Sequence, residues 1–214
     1  MFTILINILF IHLALAEGPS QKTEKIEKID EVDGISVFRK EIVEDDLVFF
    51  RGEGLIDAPL IKVVNVIIDE DRTTEWVDDL VESKVLKVIN PKEFFVYTHV
   101  GTPFIVEDRD FLSLGKIITR KGHFEMNLNS VVDPILPPGK YVRGDVHLSW
   151  KLDAVEDDKK TFITAEMNTD PKGNVPRWLI NRVQKSWPKN TIQKLRSQAA
   201  KNDIQIKPHT LAWF

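Results

Sequence analysis

The feature that most constrains the fold is a long central run of strand-like segments, followed by a single long helical pattern. Six such segments lie between residues 83 and 168, and turns rich in Pro, Gly and Asp separate them. In the fourth segment, Phe124, Met126 and Leu128 alternate with polar residues, which places an apolar surface on one side of the strand. This spacing and alternation predict one antiparallel sheet with an apolar interior face.

Two further strands and a helix precede the central run. Alternating residues at 35–43 and 47–55 flank an acidic turn and predict a hairpin. Pro59 then opens an apolar segment with helical spacing, which predicts a helix to roughly Asp71. Residues 72–82 can continue it as a second short helix.

Helical spacing returns after a break at residues 170–173. Pro176 stands where a helix can begin, and the apolar residues that follow share one side: Leu179, Val183, Trp187, Ile192, Leu195 and Ala199. About 25 residues would make a helix of roughly 38 Å, long enough to cross a whole sheet. Pro188 is expected to kink or interrupt this helix. The pattern predicts an α+β fold in which a curved antiparallel sheet wraps around the C-terminal helix.

Composition excludes several classes of protein. The chain has no cysteine, so disulfides, thiolate metal sites and cysteine nucleophiles are ruled out. An apolar core must therefore hold the fold, and a chain of 214 residues can build one. A sequence pI of about 5.8 argues against a nucleic-acid partner, because phosphate binding depends on clustered Lys and Arg. We expect one domain and a monomer.

The two ends of the chain differ from its middle. Residues 1–16 are uncharged, largely apolar and end in Ala14-Leu15-Ala16, which predicts a signal peptide and export to the periplasm or the medium. An uncleaved membrane anchor is the alternative, although a bilayer span needs about 20 apolar residues. Residues 17–33 are predicted to form an N-terminal helix or linker, and residues 204–214 a C-terminal tail.

Three blocks of residues carry a resemblance to a known family. The first contains Arg72, Glu75-Trp76 and residues 82–86. The second and most specific is PFIVEDRDFL at 103–112, and the third is DPKGNVPRWLIN at 170–181. In this order they resemble the START family, named for steroidogenic acute regulatory protein-related lipid transfer. The resemblance covers roughly residues 34–202, so a single START-like domain is drawn at 34–203.

The resemblance implies a helix-grip fold with a closed apolar tunnel between the sheet and the C-terminal helix. In such a tunnel family members hold a sterol, a phospholipid or another lipid. It also implies lipid transfer or sensing, and not catalysis. Transient membrane contact and the absence of a cofactor are separate expectations. Steroidogenic relatives carry an internal ion pair between an arginine and an acidic residue. This chain has Gly115 at the arginine position and Val100 at the acidic position. Sterol binding through that pair is therefore not expected.

The predicted ligand site consists of residues that strand alternation, loop position or helical spacing directs toward the interior. They are Phe94, Val96, Thr98, Val100, Phe104, Ile105, Arg109, Ser113, Met126, Leu179, Val183 and Trp187. Thr98 and Ser113 can contact a polar head group, or satisfy backbone groups instead. Phe104 and Ile105 can form an apolar lip or pack under their loop, and the helical stripe can equally be plain core.

Arg109 has two interpretations. It lies between Asp108 and Asp110, and a guanidinium can bind a carboxylate or a lipid phosphate through two hydrogen bonds. The alternative is an ion pair that holds the loop in place. We favour the structural role, because charged groups near a core are usually paired.

Two other classes of function are open at this point. Helix-grip relatives include cyclases and hydrolases of bulky apolar substrates, and such an enzyme needs a buried acid–base group. Arg109 and Glu166 are the weak candidates, and Glu166 falls on the outward side of its strand. His99, His123 and His147 also point outward and are expected at the surface, without metal-ligand spacing. The third class is an interaction module with a collapsed tunnel.

Overall fold

The computed structural model describes residues 23–45, 47–102, 106–137 and 139–214. The strands are β1 (Glu24–Val32), β2 (Ile35–Ile42), β3 (Leu47–Ile56), β4 (Leu80–Asn90), β5 (Glu93–Val100), β6 (Arg109–Arg120), β7 (His123–Ser130), β8 (Val142–Arg143), β9 (Asp145–Val155) and β10 (Lys160–Asp170). The helices are α1 (Leu60–Ile67), α2 (Arg177–Ala199) and α3 (Pro208–Leu211), with 3-10 helices at Val43–Asp45 and Glu70–Glu75. Among these described residues, no helix is long and apolar enough to cross a membrane.

The strands form one curved sheet in the order β1-β2-β3-β10-β9-β7-β6-β5-β4. Every pair along this path is antiparallel, and the short β8 adds a parallel pair to the beginning of β6. The predicted α+β helix-grip class is confirmed, since the sheet holds the long α2 against its inner side. The strands at 35–43, 47–55 and 83–168 are found where alternation predicts them.

Helix α2 lies very close to β3, and glycine makes this approach possible. A Cβ atom added to Gly52 would lie 2.8 Å from Cβ of Pro188 and 2.9 Å from Cδ1 of Ile192. Real carbon atoms do not approach this closely, so any side chain at position 52 would push the helix away. Pro188 is buried in this contact, and α2 continues through it as one helix, so the expected interruption is wrong.

The core lies between the inner side of the sheet and the helices. Its fully buried side chains come from β2, β3, β7, β9 and β10, from α1, and from the C-terminal half of α2. One buried polar group inside it, the Thr161 hydroxyl, donates a hydrogen bond to the backbone oxygen of Ala58. Burial of this apolar surface holds the fold without disulfides.

Residues 17–33 do not form the predicted helix or linker in their described part. Residues 24–32 are the edge strand β1, which pairs with β2 through a register shift between Lys28 and Asp30. Ile26, Ile29 and Val32, which stand three residues apart in the sequence, therefore lie in an extended strand with a bulge and not on one side of a helix. The dense charges suit a strand at the edge of a sheet, where they discourage pairing with another chain. Residues 1–22, with the predicted signal peptide, lie outside the described residues.

The predicted C-terminal tail packs against the domain through α3. Asn65 of α1 accepts a hydrogen bond from the backbone of Lys207 at 2.7 Å, and its amide donates to the Thr210 hydroxyl at 3.0 Å. Both Asn65 and Thr210 are buried. Trp213 then stacks on the core residue Phe124, with ring centroids 6.2 Å apart. The last residues therefore cover part of the core.

The contact at Gly52 predicts a large difference between two alanine substitutions. Gly52→Ala should lower the free energy of unfolding by about 1–3 kcal/mol, because the new methyl group overpacks the helix–sheet contact. Gly139→Ala is the control, since a Cβ at that exposed position meets nothing within 4 Å. Urea unfolding followed by circular dichroism measures both, and equal midpoints would contradict the proposed tight contact.

Candidate ligand-binding site

The inward side chains of β5 and β6 form one continuous surface. Across these strands Phe94 lies opposite Gly115, Val96 opposite Ser113, Thr98 opposite Phe111, and Val100 opposite Arg109. Val96 and Ser113 are buried, whereas Phe94, Thr98 and Val100 are partly exposed. Met126 of β7, also buried, continues the surface opposite Ile117. The structure therefore brings together the strand residues that alternation selects.

On this surface the ring of Phe94 occupies the space that a side chain at position 115 would need. A Cβ atom on Gly115 would lie 2.6 Å from Cε2 of Phe94, so the aromatic ring rests directly on the glycine backbone. No side chain at position 115 can coexist with this ring position. The inner surface is apolar where an arginine would make it charged.

The two halves of α2 differ in how far they are covered. The C-terminal half buries Pro188, Thr191, Ile192, Leu195, Gln198 and Ala199. In the N-terminal half Leu179 and Trp187 are only partly buried, and Val183 is 45% exposed. Gln184 is buried there because its side-chain amide donates to the backbone oxygen of Thr169 at 2.6 Å. The predicted stripe of Leu179, Val183 and Trp187 is thus a partly open apolar surface.

Three tryptophans from distant parts of the chain meet beside this stripe. Trp150 of β9 lies 5.9 Å from Trp187 and 6.0 Å from Trp76, measured between ring centroids. Trp76 and Trp150 are buried, at 3% and 4% exposure. Sequence analysis missed this row, although the alternation of Leu148, Trp150 and Leu152 marks Trp150 as inward.

Arg109 is buried and acts as a connector between β6 and the turn before α2. Its guanidinium donates to the backbone oxygens of Pro171 and Lys172, each at 3.1 Å, and to that of Glu107. These acceptors are carbonyls, so the expected ion pair with a neighbouring aspartate is wrong. The structural role that sequence analysis favoured is present in a different form, because Arg109 ties the turn at 171–172 to the sheet.

The two aspartates beside Arg109 have other partners. Asp108 accepts hydrogen bonds from the backbone of Thr102 and pairs with Nε2 of His99, both at 2.9 Å. The hydrogen bond from Thr102 and, to a smaller extent, the contact with His99 hold the pKa of the Asp108 carboxyl below its usual range. Asp110 is buried and accepts two hydrogen bonds from Arg143, at 2.7 and 3.0 Å. Phe104 and Ile105 lie outside the described residues.

His99 is a correction to the sequence-based expectation of a surface histidine. It does point away from the apolar face, but it is only 7% exposed because Tyr141 stacks on it with ring centroids 4.0 Å apart. The segment before β9 covers the outer side of the sheet at this end. On the same side, burial and then the nearby Asp110 raise the pKa of Tyr97.

Groups that could support metal binding or acid–base chemistry are engaged elsewhere. Within residues 23–45, 47–102, 106–137 and 139–214, no three His, Asp or Glu residues are placed to hold a metal ion. Glu166 lies on the outer side and accepts from Lys40 at 2.5 Å. His123 pairs with Asp153 at 2.7 Å, and the exposed His147 pairs with Asn129 at 2.9 Å.

An open cleft lies at the rim of the sheet beside the hydrogen bond between Thr102 and Asp108. Asp79, Leu80, Val81, Gly101 and Thr102 line it, and its volume is about 480 Å³. The cleft joins the start of β4 to the end of β5.

Comparison with known proteins agrees with this architecture. The chain is 26% identical over 175 residues to an uncharacterized protein of Pseudomonas aeruginosa, PA1579, covering 79% of this chain and 84% of that protein. Among solved structures, a STAR-related lipid transfer protein fragment from Xanthomonas axonopodis has a TM-score of 0.72 and 27% identity, covering 82% of this chain and 99% of that one. Human STARD10 has a TM-score of 0.74 and 22% identity, covering 83% and 74% of the two chains, which shows the shared fold alone.

The family model described as START domain matches residues 27–202. The match begins inside β1, a few residues before the boundary at 34, and ends just after α2. It spans most of the chain and includes every strand and helix that surrounds the apolar surface. This chain therefore belongs to the START domain family.

Proposed function

We propose that this protein binds one apolar molecule, a lipid, between the inner face of the sheet and the N-terminal half of α2. The observation that carries the proposal is the contrast along α2. Its C-terminal half is packed against the protein, whereas Leu179, Val183 and Trp187 in the other half stay partly uncovered. Exposed apolar surface of this kind costs about 25 cal/mol per Å², which a bound lipid would recover.

The side chains on the opposite wall support an apolar cargo. Phe94, Val96 and Met126 present hydrocarbon, and Ser113 adds one small polar group. With Gly115 in place of a charged residue, and with the Arg109 guanidinium bonded to three backbone oxygens, this wall offers no free cation among the residues named here. A cargo held mainly through its apolar body agrees with such a surface.

Binding, and not catalysis, is the proposed activity. Arg109 and Glu166 are the two residues that an enzyme mechanism would have used. The first is bonded to backbone oxygens and the second forms an outer-face ion pair with Lys40. Neither is placed to exchange a proton with a substrate bound between the sheet and α2.

We further propose that cargo enters and leaves near the rim cleft, next to residues 103–105. Beside the cleft, Asp108 accepts a hydrogen bond from the backbone of Thr102 and pairs with His99. Transient contact of this rim with a membrane would let a monomer exchange lipid.

The first test is the lipid content of the purified protein. Native mass spectrometry of the full chain, followed by organic extraction, should detect one stoichiometric apolar molecule, because the partly open stripe on α2 favours occupancy. An empty protein that also fails to take up lipid from vesicles of phosphatidylcholine would contradict the proposal.

The second test is the substitution Trp187→Ala. Removing this ring deletes apolar contact with the cargo and should weaken lipid retention about tenfold or more. Trp178→Ala is the matched control, since Trp178 lies on the same helix but about 100° around it from the stripe of Leu179, Val183 and Trp187. Retention is measured as bound lipid per folded protein after gel filtration. Equal retention by the two variants would remove Trp187 from the site.

Export is proposed separately, on the pattern of residues 1–16 alone. If these residues are a signal peptide, the intact mass of protein recovered from the periplasm or medium should correspond to a chain that begins at Glu17. A full-length chain recovered from the membrane fraction would favour the anchor instead.

A further inference from the structure

Trp76 carries a buried donor without an acceptor. Its side chain is 3% exposed, and its indole Nε1–H has no hydrogen-bond partner among the described residues. Most buried polar groups in proteins are hydrogen-bonded, because leaving one unpaired costs about 1–3 kcal/mol. An orphaned indole N–H inside a core therefore calls for a partner that the described residues do not supply.

The acidic neighbours of Trp76 along the chain are already engaged. Glu75 accepts from Arg72, from Gln198 and from Lys201, at 2.8 to 2.9 Å. Asp78 accepts from Lys194 and from Asn190 on α2. These carboxylates belong to contacts that hold the segment of Trp76 against α2. They are not spare acceptors for its ring.

The position of Trp76 connects it to the proposed cargo. Its ring meets Trp150 edge-on, and Trp150 in turn contacts Trp187. In the sheet Trp150 lies between Met126 of β7 and Ala165 of β10, which are inward residues of the same apolar surface. Trp76 is thus part of an aromatic row that begins at the uncovered stripe of α2 and ends at an unpaired donor.

We propose that Trp76 Nε1–H donates a hydrogen bond to a neutral oxygen of the cargo, such as a hydroxyl or a carbonyl. This inference rests on the proposed function and adds a specificity-determining residue to it. An indole N–H is a donor only, so the ligand atom must be an acceptor. The oxygen is neutral because a charged group would be buried in the row without a counter-ion, at a much higher cost.

The test compares two probes that differ in one oxygen, pyrenyldodecanol and dodecylpyrene. Binding of each to the full chain is followed by energy transfer from tryptophan to pyrene, with wild type, Trp76→Phe and Trp178→Phe. The Phe substitution keeps an aromatic ring and removes the N–H. In Trp76→Phe the Kd of the alcohol divided by the Kd of the hydrocarbon should rise about fivefold relative to wild type. This is the effect of losing one net hydrogen bond. In Trp178→Phe the ratio should equal that of wild type.

A second measurement uses the unaltered protein, in case Trp76→Phe folds poorly. The chain has five tryptophans, so the indole N–H signals of ¹⁵N-labelled protein are few and can be assigned individually. The alcohol should move the Trp76 signal downfield relative to the hydrocarbon. The pyrene ring is common to both probes, so its own effect on the signal cancels in the comparison.

The outcomes of these experiments distinguish a failure of the Trp76 hydrogen bond from a failure of the proposed lipid binding. If wild type binds both probes but neither the Kd ratio nor the Trp76 signal depends on the oxygen, the inference is wrong and the binding function stands. In that case a water molecule is the better partner for Nε1. If wild type binds neither probe, both the proposed function and the inference fail.

Discussion

The close contact between α2 and β3 is the constraint on which the rest of this structure depends. Gly52 lets Pro188 and Ile192 approach the sheet at a distance that a side chain would forbid. One turn further along, Arg196 donates to the backbone oxygens of Leu55, at 2.7 Å, and Asp33, at 2.8 Å. Because the helix is held so firmly at its C-terminal half, its other half can remain partly uncovered without loosening the fold.

The opposite end of α2 is positioned by a different kind of contact. Arg109 binds the carbonyls of the turn at 171–172, and Gln184 binds the last part of β10, so the start of the helix is tied to two strands. A buried guanidinium surrounded by carbonyl oxygens is satisfied without a counter-charge nearby. The apolar surface between the two attachments can therefore serve a ligand, since the attachments alone hold the helix.

Much of the fold could be predicted from the sequence, because alternation in a strand is a local property. Phe94, Val96 and Met126 face inward as their parity requires. The prediction failed at residues 24–32, where apolar residues at helical spacing lie in an edge strand. It also failed for His99, whose outward parity was correct but whose exposure was not, since Tyr141 covers it from a segment forty residues later.

By itself the sequence determined the class of fold, the inward faces of the strands and the membership of the START domain family, because periodicity and short motifs lie in neighbouring residues. Only the tertiary structure decided how the ends of these elements meet. It brought Trp76, Trp150 and Trp187 into one row and left the first of them without an acceptor among the described residues. It also gave Arg109 three carbonyls in place of the aspartates beside it. Such contacts join residues far apart in the chain, and no local pattern specifies the distance between them.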